Sequence, residues 1–568
     1  MTDWGPTDLG DGRWRFALWA PDREHVTLEM DCAQPLPMAK AGEGWFCVET
    51  EAREGSRYRF RIAPDLAVPD PASRRQCGGV HGWSVITPIA PPPDRWVGRP
   101  WEEAVIYELH VGLYGGFAGV AEQLPALAKI GVTAIELMPI NAFSGSRNWG
   151  YDGVLPFAPA EAYGSPRELR ELIDLAHRLE MMILLDVVYN HFGPDGNYLG
   201  SYAKPFFHAK QHTPWGGAVA VDRPQVAAYF RENALMWLND YGFDGLRFDA
   251  VHAIGNDDFL DSLARYLRER TNGRQIYLML ENERNDAARL GPKGYDAQWN
   301  DDFHNVMHVL LTGEHDAYYE DFAREPTQKL ARCLSEGFVY QGDPSPHQNG
   351  KLRGSKSAHL PPSAFIAFLQ NHDQTGNRAL GERLIDLTSL ERLRAATCLL
   401  LLLPHIPLLF MGEEVGARSP FLFFTDFHDE LADAVREGRR HEFKGFAAFS
   451  SSDARDRIPD PNAFDTFKMT RIMPGEDAND WRSFYATLLT LRRQAIIPGI
   501  AGARALGAAA LSSGAVEARW MLGSGRLLTI LINLGEMAVA PPQNSEPAFA
   551  TGVPGAPASC AVWISQPQ

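Results

Sequence analysis

The sequence predicts an α/β protein: a (β/α)8 TIM barrel with an N-terminal β-sandwich domain and a small C-terminal β-domain. Three observations carry that expectation. From Ala104 onward, short apolar segments recur eight times, and amphipathic stretches lie between them. That alternation is the pattern of parallel strands joined by helices. Ahead of it the chain alternates in short β-like pieces, and from about Pro498 the helical periodicity stops.

Taken in order, residues 1–95 contain "RWRFALWAP", "HVTLEM", "WFCVET" and "RYRFRI", separated by Gly, Pro and Asp. Short alternating strands with such turns predict an immunoglobulin-like sandwich. The proline-rich "IAPPPDRWVGRPW", from Ile89, reads as a linker. Residues 96–497 form the expected barrel with insertions. Its strand candidates are "AVIYELHV" from Ala104, "TAIELMPI" from Thr133, "MILLDVVYNH" from Met182 and "DGLRFDAV" from Asp244. They continue with "IYLMLENE" from Ile276, "EGFVYQG" from Glu336, "AFIAFLQNHD" from Ala364 and "IPLLFMGEE" from Ile406. In the intervening "SPRELRELIDLAHRLE", Leu169, Leu172, Ile173 and Ala176 share one helical face. A doubly wound open sheet is the rival, but no Gly-rich phosphate loop follows the first strand. Residues 498–568 predict the terminal β-domain through "ARALGAAALSSGAVEARWML" and "RLLTILINLG". The Pro-, Ala- and Ser-rich tail from Ala540 is expected to be partly loose.

Composition narrows the function. Lys and Arg number 54 against 71 Asp and Glu, a formal charge of −17, in a chain of 568 residues. Nucleic acid and anionic membranes both select basic patches, so neither is an expected partner, and a neutral substrate fits better. The six cysteines are scattered without a CxxC pair, which reads as reduced thiols in a cytoplasmic protein. The N-terminus carries no signal-peptide pattern. The apolar run "CLLLLLPHIPLLFMG" is cut by Pro404, His405 and Pro407, so it reads as buried helix and strand. No metal or cofactor is expected, for lack of CxxC, HExxH or DxDxDG spacing. The expected state is a monomer.

Barrel chemistry sits at the C-terminal ends of the strands. There the third strand reaches Asp186 and then Asn190–His191, and the fourth reaches Arg247 and Asp249. The fifth reaches Glu281, and the seventh reaches Asn371–His372–Asp373. Arg247 and Asp249, two residues apart on a strand, point the same way. One such pair is often only a structural ion pair. Several carboxylates converging in one place repel one another and need a cation, which Arg247 supplies. Two carboxylates acting on one bond are the equipment for glycoside cleavage.

The segments "DVVYNH", "GLRFDAVH", "LENE" and "QNHD" resemble, in order, the signature regions of the α-amylase family of glycoside hydrolases. The resemblance implies that Asp249 is the nucleophile, Glu281 the general acid/base, and Asp373 the stabiliser of the transition state. It implies that Arg247 keeps Asp249 ionised, that His191 and His372 bind sugar hydroxyls, and that Tyr151 stacks under the ring. His252 is expected to bind sugar. Several residues keep a second reading: Tyr151 as core, Asp186 as purely structural, and Glu283 as a rival for the acid role. The loop "HTPWGGAVAVD" reads equally as a sugar platform or as packing. Longer stretches, among them "NWGYDGV", "AVREGRRHEF" and "IPDPNAFDTF", resemble the trehalose-releasing branch of that family. The branch implies a retaining cut of the α-1,4 bond beside the terminal α,α-trehalose of maltooligosyltrehalose. Glycogen branching or debranching enzymes and plain amylases, acting on related α-glucans, are the alternatives within the family. A catalytically silent binding protein is the alternative outside it.

Overall fold

The computed structural model describes residues 4–89, 96–213, 216–271, 273–445, 449, 451–543 and 545–566. Its centre is a closed barrel of eight parallel strands. They are β1 (Ile106–Leu109), β2 (Ala134–Leu137), β3 (Met182–Val187), β4 (Gly245–Phe248), β5 (Tyr277–Leu280), β6 (Ala297–Trp299), β7 (Phe365–Phe368) and β8 (Ile406–Phe410). Pairing follows chain order, and β8 closes on β1. Seven strands lie within the segments that the sequence marks.

The sixth does not. "EGFVYQG" begins in the last turn of helix Pro326–Glu336, leaves it at Gly337 with φ 95°, and continues as a buried loop. The backbone N–H groups of Val339 and Tyr340 donate to the Asp302 carboxylate at 2.8 and 3.0 Å. Burial of Phe338, Val339 and Tyr340 gives this loop the same apolar run as a buried strand. The true β6 is three residues long, too short for any periodicity.

The barrel interior changes from apolar to acidic toward the C-terminal ends of its strands. Ile106, Ala134, Leu184, Met279, Ala297, Phe368 and Leu408 form an apolar cluster, floored by Trp101. Its indole donates to the Ser363 carbonyl at 2.8 Å. Side chains of a strand repeat on one face every two residues. The next inward positions toward the C-terminal end are therefore Glu108, Glu136 and Asp186. Gly245 lets β4 approach closely, since a Cβ there would stand 2.5 Å from the Tyr277 carbonyl.

The N-terminal region is two antiparallel sheets, one of four strands and one of six. Phe16, Leu18, Phe46, Tyr58 and Phe60 alternate into the core between them. The region docks on the barrel: Trp4 Nε1 donates to the Gln225 carbonyl (3.2 Å) and Tyr229 Oη to the Pro71 carbonyl (2.7 Å). Of the expected linker, residues 90–95 lie outside the described residues. Trp96 beyond them donates to Asp244 at 2.6 Å, beneath β4.

The C-terminal sheet has five antiparallel strands, in the spatial order Arg504–Ser512, Ala515–Met521, Leu527–Asn533, Ser559–Ser565 and Phe549–Thr551. This corrects the expectation of a loose tail. Ser559–Ser565 is paired on both sides because "SCAVWIS" buries Cys560, Val562 and Trp563. The Pro- and Ser-rich flanks hide that short strand in the composition. The sheet packs on helix Leu390–Leu402. The buried Arg492 guanidinium closes that helix, donating to the carbonyls of Leu401 (3.1 Å), Leu403 (2.5 Å) and His405 (2.6 Å). Among the described residues no helix is long and apolar enough to cross a membrane.

Candidate active site

The strand ladders carry on one residue past the strands, and this fixes the two central carboxylates. Asp249 N–H donates to the Val187 carbonyl and Glu281 N–H to that of Phe248, both at 3.0 Å. Each acid is thus part of the barrel wall, and that rigidity is what a reacting group requires. Ala250, in the left-handed region with φ 39°, turns the chain between them. Its N–H donates to Glu281 Oε2 at 2.5 Å.

Arg247 is completely buried at the centre. Its Nη1 donates to Asp186 Oδ2 (2.6 Å) and Asp249 Oδ1 (2.8 Å), while Nη2 lies 3.6 Å from Glu281 Oε2. The guanidinium lies over the Trp299 ring at 4.3 Å from its centroid. The second oxygen of Asp249 accepts from Asn190 Nδ2 at 3.0 Å. Both oxygens of Asp249 are therefore held as acceptors. Glu281 is treated differently. Burial pushes its carboxyl well above the ordinary range, Arg247 opposes the shift, and Asp249, Asp301 and Asp373 reinforce it. Burial likewise lifts Asp186 to about 6 against the pull of Arg247. Beside one shared cation, Asp249 is thus held as an acceptor on both oxygens, while burial raises the carboxyl of its neighbour Glu281.

The other expected residues surround this pair. Tyr151 Oη donates to Asp186 Oδ2 at 2.5 Å, and its half-buried ring stacks on His372 with centroids 4.9 Å apart. His372 is buried, with Nδ1 2.5 Å from Glu108 Oε1 and Nε2 3.5 Å from Asp373 Oδ1. Asp373 lies in the first turn of the short helix His372–Gly376, and its side chain remains 44% exposed, toward the cleft. His191 is engaged through both ring nitrogens, Nδ1 by Asn190 Oδ1 and Nε2 by the Tyr151 carbonyl at 2.9 Å. In this state it ties the Tyr151 loop to β3. His252 stands farther out, with Nε2 3.6 Å from Glu283 Oε2.

Glu283 is the less suited of the two rival acids. Its side chain is 50% exposed, against 17% for Glu281. One of its oxygens accepts from Gln348 at 2.6 Å, at the tip of a hairpin made by Asp343–Ser345 and Lys351–Arg353. That hairpin, Glu281, Asp301, Trp299, Tyr318 and Asp373 line a cavity of about 320 Å³. In the Trp-bearing loop, the Trp residue, at position 215, lies outside the described residues.

Sequence reasoning missed Glu108, Glu136, Trp299 and Asp301. An acid in the middle of an otherwise apolar strand, as in "IYELHV" and "AIELMP", was the available signal for the first two. Trp299 gave none once β6 had been sought elsewhere.

The chain matches the model described as "Alpha amylase, catalytic domain" over residues 92–215, and a domain of unknown function over residues 503–562. It is 38% identical to malto-oligosyltrehalose trehalohydrolase of Saccharolobus solfataricus, covering 84% of this chain and 85% of that one. It is 39% identical to the protein of the same name from Deinococcus radiodurans, covering 86% and 83%. Among solved structures, one described as an alpha amylase from Salmonella typhimurium superposes with TM-score 0.94 at 40% identity over all of both chains. A pullulanase from Anoxybacillus in complex with maltotetraose shares the fold, at TM-score 0.73 and 16% identity over 100% and 87%.

Proposed function

The chain belongs to the malto-oligosyltrehalose trehalohydrolases of the alpha-amylase family, and from that membership we propose that it hydrolyses the α-1,4 bond beside the terminal trehalose of maltooligosyltrehaloses. The products are trehalose and a shortened maltooligosaccharide. The observation that carries the chemistry is the contrast between two carboxyls sharing Arg247. Asp249 is held as an acceptor on both oxygens, while burial lets Glu281 keep a proton.

The reaction is a double displacement. Glu281 gives its proton to the oxygen of the departing trehalose as Asp249 attacks the anomeric carbon. As that proton leaves, charge develops on Glu281, and the Ala250 N–H and Arg247 are already aimed at it. Water, with Glu281 now acting as base, then releases the maltooligosaccharide. Asp373, beside the protonated His372, stabilises the positive charge that develops on the sugar. Tyr151, His252 and His372 contact that sugar, and His191 orders the Tyr151 loop against it. We infer that the enzyme works in the cytoplasm, in keeping with its six free cysteines, and as a monomer.

The test is an end-point digest of maltotriosyltrehalose beside maltopentaose, of equal length, with products separated by anion-exchange chromatography. Trehalose and maltotriose from the first, with little cleavage of the second, is the expected result. Equal cleavage of both, or action on the second alone, keeps the barrel chemistry and overturns the trehalose specificity. No cleavage of either overturns the hydrolase reading.

A further inference from the structure

Two acids inside the barrel have no part in the scheme above. Glu108 on β1 and Glu136 on β2 face each other in register, and each is 1% exposed. Their surroundings differ. Both oxygens of Glu108 serve one residue: Oε2 accepts the backbone N–H of His372 at 3.0 Å, and Oε1 lies 2.5 Å from its Nδ1. Neither oxygen of Glu136 has a hydrogen-bond partner among the described residues. Burial, Glu108 and Asp186 push Glu136 well above the ordinary carboxyl range. It is therefore the neutral neighbour, and its isosteric amide is the natural comparison.

The grip on His372 is complete on three sides. Tyr151 stacks on one face, Trp149 meets the ring edge-on at 5.7 Å, and Glu108 holds Nδ1. Only Nε2 is left toward Asp373 and the cleft. We propose that Glu108 is a positioning residue for glycoside cleavage, locking the His372 ring in one orientation and keeping it doubly protonated, so that Nε2 acts as a charged donor to the sugar. This rests on the glucan reading above. The groups facing His372 are Glu108 on β1, Glu136 on β2, Asp186 on β3, Arg247 on β4, Asp373 and His110. Burial lowers the affinity of its ring for a proton. Asp373 and Glu108 overcome that and raise it to about 9.

The test compares Glu108→Gln, Glu108→Asp and Glu136→Gln with the parent enzyme. The His372 ring is followed by ¹⁵N NMR, its signal assigned by its loss in His372→Gln. Activity is followed as kcat/KM against pH on maltotriosyltrehalose. In Glu108→Gln the His372 titration is expected to fall by at least one pH unit. The alkaline limb of the profile should move with it, and kcat/KM at pH 8 should drop by about 10- to 100-fold, typical for a misplaced reacting group. Glu108→Asp keeps the charge and breaks the two-point grip. It should retain a raised titration yet still lose kcat. Glu136→Gln should move neither titration nor limb. An unchanged titration in Glu108→Gln, or an equal effect in Glu136→Gln, overturns the proposal. Because the titration is read without substrate, it also separates this failure from that of the glucan reading, which an inactive parent enzyme alone would reveal.

Discussion

Replacing Glu281 by Gln tests the electrostatics of the site by two independent readouts. The amide keeps an oxygen for the Ala250 N–H, now at 2.5 Å from the carboxyl, and removes the titration. Burial raises this carboxyl above its ordinary 4.5, so the folded protein holds a proton that the unfolded chain has already released. Stability from this group is complete below pH 4.5 and is lost as pH climbs toward the raised value. Between those limits the parent loses about 1.4 kcal/mol per pH unit relative to the variant. For each pH unit inside that window the variant should gain ~1.4 kcal/mol on the parent. For 568 residues the unfolding entropy is about 1.2 kcal/mol per kelvin, so the gain reads as ~1 °C in Tm per pH unit. Scanning calorimetry of both proteins at pH 5, 6 and 7 measures the gap. In parallel, kcat on maltotriosyltrehalose should fall by about 10²- to 10⁴-fold, the contribution of a general acid. Tm curves that stay parallel across this range, or near-normal turnover, would refute the reasoning.

Other perturbations follow the same logic. Arg247→Met leaves Asp186, Asp249 and Glu281 without their common cation. It should cost about 3–5 kcal/mol in chemical denaturation at pH 7. The deficit should narrow toward pH 5, as Asp186 (raised to about 6) takes up a proton. Arg492→Leu strips three carbonyls of their donor and should cost about 2–4 kcal/mol while leaving KM unchanged, as measured by denaturation and steady-state assay. The maltooligosaccharide released first should carry the α configuration at its new reducing end, which ¹H NMR within the first minutes of reaction will show. Rapid appearance of the β anomer would mean that Asp249 activates water instead of forming a glycosyl-enzyme.

Sequence patterns expose what repeats or stands out locally. The seven strands of four to six residues, the amphipathic face of helix Pro166–Arg178 with Leu169, Leu172, Ile173 and Ala176 buried, and the acids at strand ends all do. Hence Asp186, Arg247, Asp249 and Glu281 could be read before the fold was seen. A three-residue strand such as Ala297–Trp299 has no period to detect, and a buried loop such as Phe338–Tyr340 copies the signal of a strand. Partnerships across the barrel are set by closure, with no trace in local spacing. Glu108 meets His372 across 264 positions of chain, and Asn190 meets Asp249 across 59. Motif position already favours Glu281 over Glu283, and packing adds that Glu283 is the more exposed of the two and engaged by Gln348.

The hairpin Asp343–Arg353 stands apart from the barrel wall in a way that matters for redesign. It enters from the excursion between β6 and β7, and anchors through Arg353 to Asp302 and to the Glu283 carbonyl, and through Ser345 to Asp321. None of these anchors touches Asp249, Glu281 or Arg247. His347 and Gln348, at its tip, border the cavity that holds Glu281. Asp249, Glu281 and Arg247 therefore sit on a different module of the chain from this wall of the cavity. Libraries built at the hairpin tip can reshape what the cavity admits while leaving the ladder-held carboxylates in register, so selectivity and turnover are open to independent tuning.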